Sequence, residues 1–416
     1  MLSKYIPKRF AQAMIKHVVA VSLFFPYFYS FRGNFFYQDF ILANFFAVLA
    51  MIFIFTSWKL DLKKNGILLA GMGILLIMYN GWATYMNHTY HHWYGEQINT
   101  TIIFLFFMVL LMVKDIHALI DSNMIRSIIH MMVITNVLSI AYRLFTGNNG
   151  ILIMNHDIGL VKHLGNLSDQ YSWLYYHKSQ YAFVLVISIA FCVVYRKLFR
   201  NQFTYILTLA ILCFALYLSD TYASIIATAF IFLGQFLDYL WKANLRKKVV
   251  GMLLIGIPGL IGVFNLYKII QNSRNLSNMN GRTDIWIGAW KTITTNPNGV
   301  KDFIMGVDRF GYLLHPDGWY FRTYNCHNVF MNQMFRFSIP VGIVFTLIFI
   351  MLLLFAIKRN LSFITSTFFV AVLIPLCMDY ALTNIEFVLY ILILFIMFFR
   401  NSNHHHPSNG WFALRL

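Results

Sequence analysis

The sequence predicts an all-α, polytopic membrane protein with about 12 spanning helices and a large external loop between spans 9 and 10. Three observations carry that prediction. Of the 416 residues, 59% are apolar and 11% charged, against about 25% charged in a soluble domain, so the chain lacks the charge to cover a water-facing surface. The apolar residues gather in blocks of roughly 17 to 25, the length that crosses a bilayer core. The basic residues alternate between successive connections, as the positive-inside rule requires.

The blocks fall at 12–31, 38–57, 66–85, 99–113, 126–145, 179–195, 203–218, 221–240, 249–267, 328–357, 361–381 and 384–399. The first follows Lys4, Lys8 and Arg9 and has no small-residue cleavage site, so it is expected to remain as a first helix. Trp58, Trp82, Trp93, Trp173, Trp241 and Trp319 flank blocks in the manner of aromatic belts. One set of connections holds Lys59, Lys63, Lys64, Lys114, Arg126, Arg196, Lys197, Arg200, Lys242, Arg246, Lys247, Lys248, Lys358 and Arg359. With the N-terminal segment and the tail 401–416, that side carries about 20 of the 32 Lys and Arg and is expected to be cytoplasmic. The opposite short connections hold only Arg32, beside Glu96, Asp220 and Glu386. An even number of spans then places both termini inside, and residues 1–416 read as a single membrane domain. The net charge of 32 − 15 = +17 is thereby a matter of orientation, not a nucleic-acid surface. Cys192, Cys213 and Cys377 lie in apolar blocks and Cys326 stands alone in the loop, which implies no disulfide framework.

Two long outer connections escape the charge rule. Residues 146–178 are rich in Gly, Asn and His and carry Lys162, His163, His177 and Lys178. Residues 268–327 are the largest hydrophilic segment. Within them, Asp284 to Lys291 is predicted as a short amphipathic helix with Ile285, Trp286, Ala289 and Trp290, and Asn296-Pro297-Asn298-Gly299 breaks the chain after it.

The chemistry-bearing residues concentrate there. Arg282, Arg309 and Arg322 offer permanently charged donor forks matched to phosphate oxygens, which suits a pyrophosphate at a lipid surface. The bland alternative is a solvated basic loop drawn to anionic headgroups. His327-Asn328 stands where the loop re-enters the membrane. A His there can take a proton from a hydroxyl or donate to a phosphate, or it can be a packed aromatic with a wet edge. Arg336, nine residues on in the same predicted span, is expected to line one crevice with His327, or else to snorkel to the headgroups. His177-Lys178 can add to an anion site or act as interfacial anchors. The cluster His88-x-x-His91-His92 with Glu96 has no defined ligand geometry and implies no metal site. No phosphate-binding glycine loop, dinucleotide fingerprint or serine-nucleophile elbow is present, so no nucleotide cofactor is expected.

The stretch from Gly281 to Gly342 resembles the O-antigen ligase and O-antigen polymerase superfamily of bacterial membrane glycosyltransferases. The family's Gly-Arg-x-x-x-Trp segment is matched by Gly281, Arg282 and Trp286, and its His-[Asn/Ser/Gln]-x9-Gly-x-x-Gly signature is opened by His327-Asn328. Ser338 stands at the first signature glycine, and the second falls one place late, at Gly342. His177-Lys178 resembles a His-Lys-Asn segment of the polymerases, with Ser179 for Asn, while Tyr222 occupies the place of a common Arg. The resemblance implies transfer of a glycan from undecaprenyl pyrophosphate to an acceptor hydroxyl at the outer face of the cytoplasmic membrane, without metal and with inversion. It implies His327, Arg282 and Arg309 as catalytic, and Arg322, Arg336, Asn328, His177 and Lys178 as pyrophosphate- or substrate-binding. Polymerisation of lipid-linked repeat units is the favoured activity, with a chain-length regulator or flippase as a partner class. Ligation to the lipopolysaccharide core, transport of lipid-linked sugars and a scaffolding role are the alternatives.

Overall fold

The computed structural model describes residues 7–24, 36–63, 65–90, 94–119, 121–149, 171–173, 178–244, 249–250, 282–295, 312–314, 320–322, 326–359 and 363–378, and these are helical almost throughout. The first six helices are α1 (Lys8–Phe24), α2 (Phe36–Ser57), α3 (Gly66–Tyr90), α4 (Tyr94–Met112), the single turn α5 (Ile116–Leu119) and α6 (Ser122–Thr146). Then come α7 (Lys178–Val194), α8 (Gln202–Leu218), α9 (Tyr222–Lys242) and α10 (Arg282–Thr295). Strands β1 (Tyr312–Leu314) and β2 (Tyr320–Arg322) precede α11 (Val329–Arg336), α12 (Ile339–Arg359) and α13 (Phe363–Met378). Among the described residues, three helical segments, Gly66–His88, Ser122–Thr146 and Tyr222–Lys242, are long and apolar enough to cross a membrane. Shorter apolar helices include Lys178–Val194, Gln202–Leu218 and Ile339–Met351. The predicted block 384–399 and the tail 401–416 lie outside the described residues, as does nearly all of 249–267.

Local chemistry sets the helix ends. Asp121 caps α6 by accepting from the Met124 N–H at 2.7 Å, and Gly147 closes it in the left-handed region at φ 71°. Asn201 and Thr204 form a reciprocal capping box at the start of α8. Helix α7 is buried on every side from Tyr181 to Val194, which the apolar run Tyr181–Ile187 allows, and it packs against α6, α8, α9 and α13. Just before α7, Tyr171 is fixed by hydroxyl contacts to Ser139 and Tyr181, with the Arg143 guanidinium 5.1 Å from its ring centre.

The predicted block 328–357 is not one helix. It divides at Phe337-Ser338 into α11 and α12. Pro340 supplies the reason: a helix running through it would lose a backbone hydrogen bond and clash with the Arg336 carbonyl, whereas in the first turn of a new helix its missing N–H costs nothing. Helix α11 folds back along α12. Phe330 meets Phe345 and Phe349 at ring separations of 6.2 and 5.5 Å, and the Gly342 backbone abuts Met334. Helix α12 in turn runs antiparallel to α3, since Phe345 lies by Tyr79 and Met351 by Gly71.

The predicted helix over 284–291 is present and longer, as α10, and it packs on β1. Strands β1 and β2 pair antiparallel, Tyr312 opposite Arg322 and Leu314 opposite Tyr320. The sequence between them, His315-Pro316-Asp317-Gly318-Trp319, carries the Pro-Asp-Gly turn signal that announces such a pair.

Candidate active site at the start of α11

The site is organised by how α11 begins. Asn328 is the N-cap: its side-chain oxygen accepts from the Met331 N–H at 3.0 Å, and its carbonyl accepts from the Asn332 N–H at 2.8 Å. His327, immediately before it, has φ 49°, a left-handed conformation that costs a residue with a Cβ about 1–2 kcal/mol. The residue on its other side is held at both backbone polar groups. The Cys326 N–H donates to Asn332 Oδ1 at 2.6 Å, and the Cys326 carbonyl accepts from the Trp286 indole N–H at 2.8 Å. His327 is thus clamped between two fixed neighbours, which is how strain at a single residue persists.

Asn332 and Gln333 anchor this arrangement from within the protein, at 2% and 1% exposure. Gln333 Oε1 accepts from the Tyr79 hydroxyl at 3.1 Å, tying α11 to α3. Beneath it, Tyr79, Phe104, Phe337 and Phe345 are buried aromatics in edge or tilted contact. Neither Asn332 nor Gln333 was singled out in the sequence. Two consecutive amides inside an otherwise apolar block were the available signal, because buried polar side chains require partners.

Trp286 brings the second motif to the first. It stands four residues after Arg282 on α10, so both project from one side of that helix. Its bond to Cys326 joins the Gly281-Arg282-x-x-x-Trp286 segment to His327-Asn328 across 40 residues of sequence. Arg282 Nε and His327 Nδ1 are both buried atoms. Burial pushes the Arg282 guanidinium below its ordinary value, yet an arginine remains charged at any working pH. The start of α11 adds the partial positive charge of a helix N-terminus. A partly dehydrated guanidinium and a helix N-terminus are each suited to an anion.

The other predicted site residues are distributed as follows. Arg322 lies on β2. Arg336 ends α11 at the bend, nine residues after His327. Lys178 opens α7 and is engaged with the α8–α9 turn: its ammonium donates to the Asp220 carbonyl at 3.0 Å and pairs with the Asp220 carboxylate at 3.7 Å. That position serves as a strap between two helix ends, and Asp220, at φ 48°, is the strained residue it holds. Arg309, His177, His91 and His92 lie outside the described residues.

Two expected results test this geometry. Trp286→Phe keeps an aromatic ring but leaves the Cys326 carbonyl without its donor, and is expected to cost about 1–3 kcal/mol, read as a lower Tm of the purified protein at unchanged helical circular dichroism. Cys326 is 1% exposed and burial pushes its thiol up to about 12. At pH 8 its thiolate fraction is then about one in 10⁴, so mass spectrometry after maleimide treatment should find Cys326 unmodified in the folded protein and modified after denaturation.

No protein-family model matches the chain, and comparison with curated proteins finds no match.

Proposed function

We propose that this chain is a glycosyltransferase that polymerises undecaprenyl-pyrophosphate-linked oligosaccharide repeat units at the outer face of the bacterial cytoplasmic membrane, with both termini cytoplasmic. The observation that carries the reading is the Trp286–Cys326 hydrogen bond, because it draws together the two motifs on which the family resemblance rests. The apolar helices suit a lipid-borne substrate, and a strained His327 together with a partly buried Arg282 on the helix bonded to Cys326 suits a pyrophosphate-bearing donor.

In this mechanism the acceptor hydroxyl oxygen bonds to the anomeric carbon as the bond from that carbon to the pyrophosphate oxygen breaks. The electron pair leaves with undecaprenyl pyrophosphate, and a single displacement inverts the anomeric centre. The hydroxyl proton passes to His327 acting as general base, or passes to an oxygen of the departing pyrophosphate while His327 donates a hydrogen bond to that group. Arg282, with Arg309 and Arg322 from the same segment, neutralises charge on the departing pyrophosphate. The donor already carries the energy of the transfer, so no nucleotide is required.

The test is direct. Purified protein reconstituted with lipid-linked repeat units is expected to give a ladder of longer chains, resolved by gel electrophoresis. Absence of any ladder, with chains appearing only when lipopolysaccharide core is added, would replace polymerase by ligase. Uptake of lipid-linked sugar without bond formation would identify a transporter.

A further inference from the structure

We infer that α10 is also an interfacial anchor, whose outward side lies in the lipid headgroup layer. The helix carries two adjoining stripes that differ in burial, and it packs against β1. The inner stripe holds Trp286, bonded to the Cys326 carbonyl, and Ala289, fully buried. The outer stripe carries Ile287 at 41% exposure and Trp290 at 67%, with exposed Thr294 in line at helical spacing. Lys291 follows Trp290, and Asp284 sits in the first turn, where its charge meets the helix dipole.

Two features assign the occupant. The first is continuity with the apolar part of the molecule. Trp286, one turn before Trp290, is bonded to the residue that leads into α11, and α11 is joined through Gln333 to Tyr79 within the candidate span Gly66–His88. The outer side of α10 is therefore pinned about one helical turn, roughly 5 Å, from a connection into membrane-spanning structure. The second is chemical. An indole and a branched alkyl chain beside a lysine match the headgroup zone, where the ring is half solvated and the ammonium meets anionic phosphates. A saccharide platform would use the Trp290 ring but gives Ile287 no role. The inference does not depend on the transfer reaction, since it concerns the protein without substrate.

The test uses full-length protein in lipid nanodiscs containing an anionic phospholipid, with Cys213 and Cys377 replaced by Ala. An environment-sensitive fluorophore is attached separately to the Trp290→Cys and Ile287→Cys variants. Quenching by lipids bearing a nitroxide near the headgroup is expected to exceed quenching by aqueous iodide by at least about two-fold at both positions. Full iodide quenching at both positions with none from the lipid nitroxide would overturn the assignment. So would shielding from iodide that appears only when free oligosaccharide is added, which would make the face a sugar platform. Because no substrate is present, failure here leaves the polymerisation assay untouched, and the converse holds equally.

Discussion

His327→Asn is expected to lower the rate of chain elongation by about 10² to 10⁴, the range for loss of a general acid or base, while leaving Tm close to that of the wild type. The choice of replacement matters because His327 has φ 49°. Asn and Gly enter the left-handed region readily, whereas Ala carries the full Cβ penalty there and brings no polar side chain to offset it. His327→Ala therefore removes the imidazole while keeping the Cβ strain that bears on the Asn328 cap and the Cys326 clamp. His327→Asn and His327→Gly remove the imidazole without that complication. Elongation kinetics from lipid-linked repeat units, at matched expression and Tm, check the result. Near-wild-type rates in both variants would remove His327 from the mechanism and leave its backbone role standing.

Much of this arrangement was legible in the sequence, and the parts that were not share a cause. Block length and charge alternation anticipated α3, α6 and α9, because transfer into lipid is a sum over side chains that any window can take. The loop helix was visible as the Ile285-Trp286-Ala289-Trp290 spacing, since amphipathic period is local. The same summation concealed the break between α11 and α12: Pro340 hardly alters an average hydropathy, yet it decides the backbone geometry. Polar partners were hidden for a different reason. Trp286 and Cys326 are 40 residues apart and Tyr79 and Gln333 are 254 apart, so no spacing rule pairs them. Lys178 shows the same limit: His177-Lys178 reads as an anion ligand or an interfacial anchor, and its contact with the turn at Asp220, 42 residues on, has no local signal. Gly342 also has a physical account, since it stands where the fold-back of α11 brings a backbone against α12.

That close approach makes Gly342→Ala the substitution with the largest expected effect on the fold. A Cβ at 342 would lie 2.8 Å from the Met334 nitrogen and 2.9 Å from its Cα, in addition to contact with its side chain. Backbone atoms cannot rotate away, so the α11–α12 pair must open. The expected cost is about 1–3 kcal/mol, the range for overpacking a filled interior, seen as a lower Tm of the purified protein. Met334→Ala should not rescue it, because the clash is with backbone. The displacement also reaches the site: α11 carries Asn332 and Gln333, which hold Cys326 and dock on Tyr79. Gly342→Ala should accordingly slow elongation as well. Gly81→Ala on α3 is the control, since a Cβ there meets nothing within 4 Å and replaces a glycine within a helix. It is expected to be neutral or stabilising by about 0.5–1 kcal/mol. If Gly342→Ala matched Gly81→Ala in Tm, α11 would not be folded against α12, and the clamp on His327 would lose its foundation.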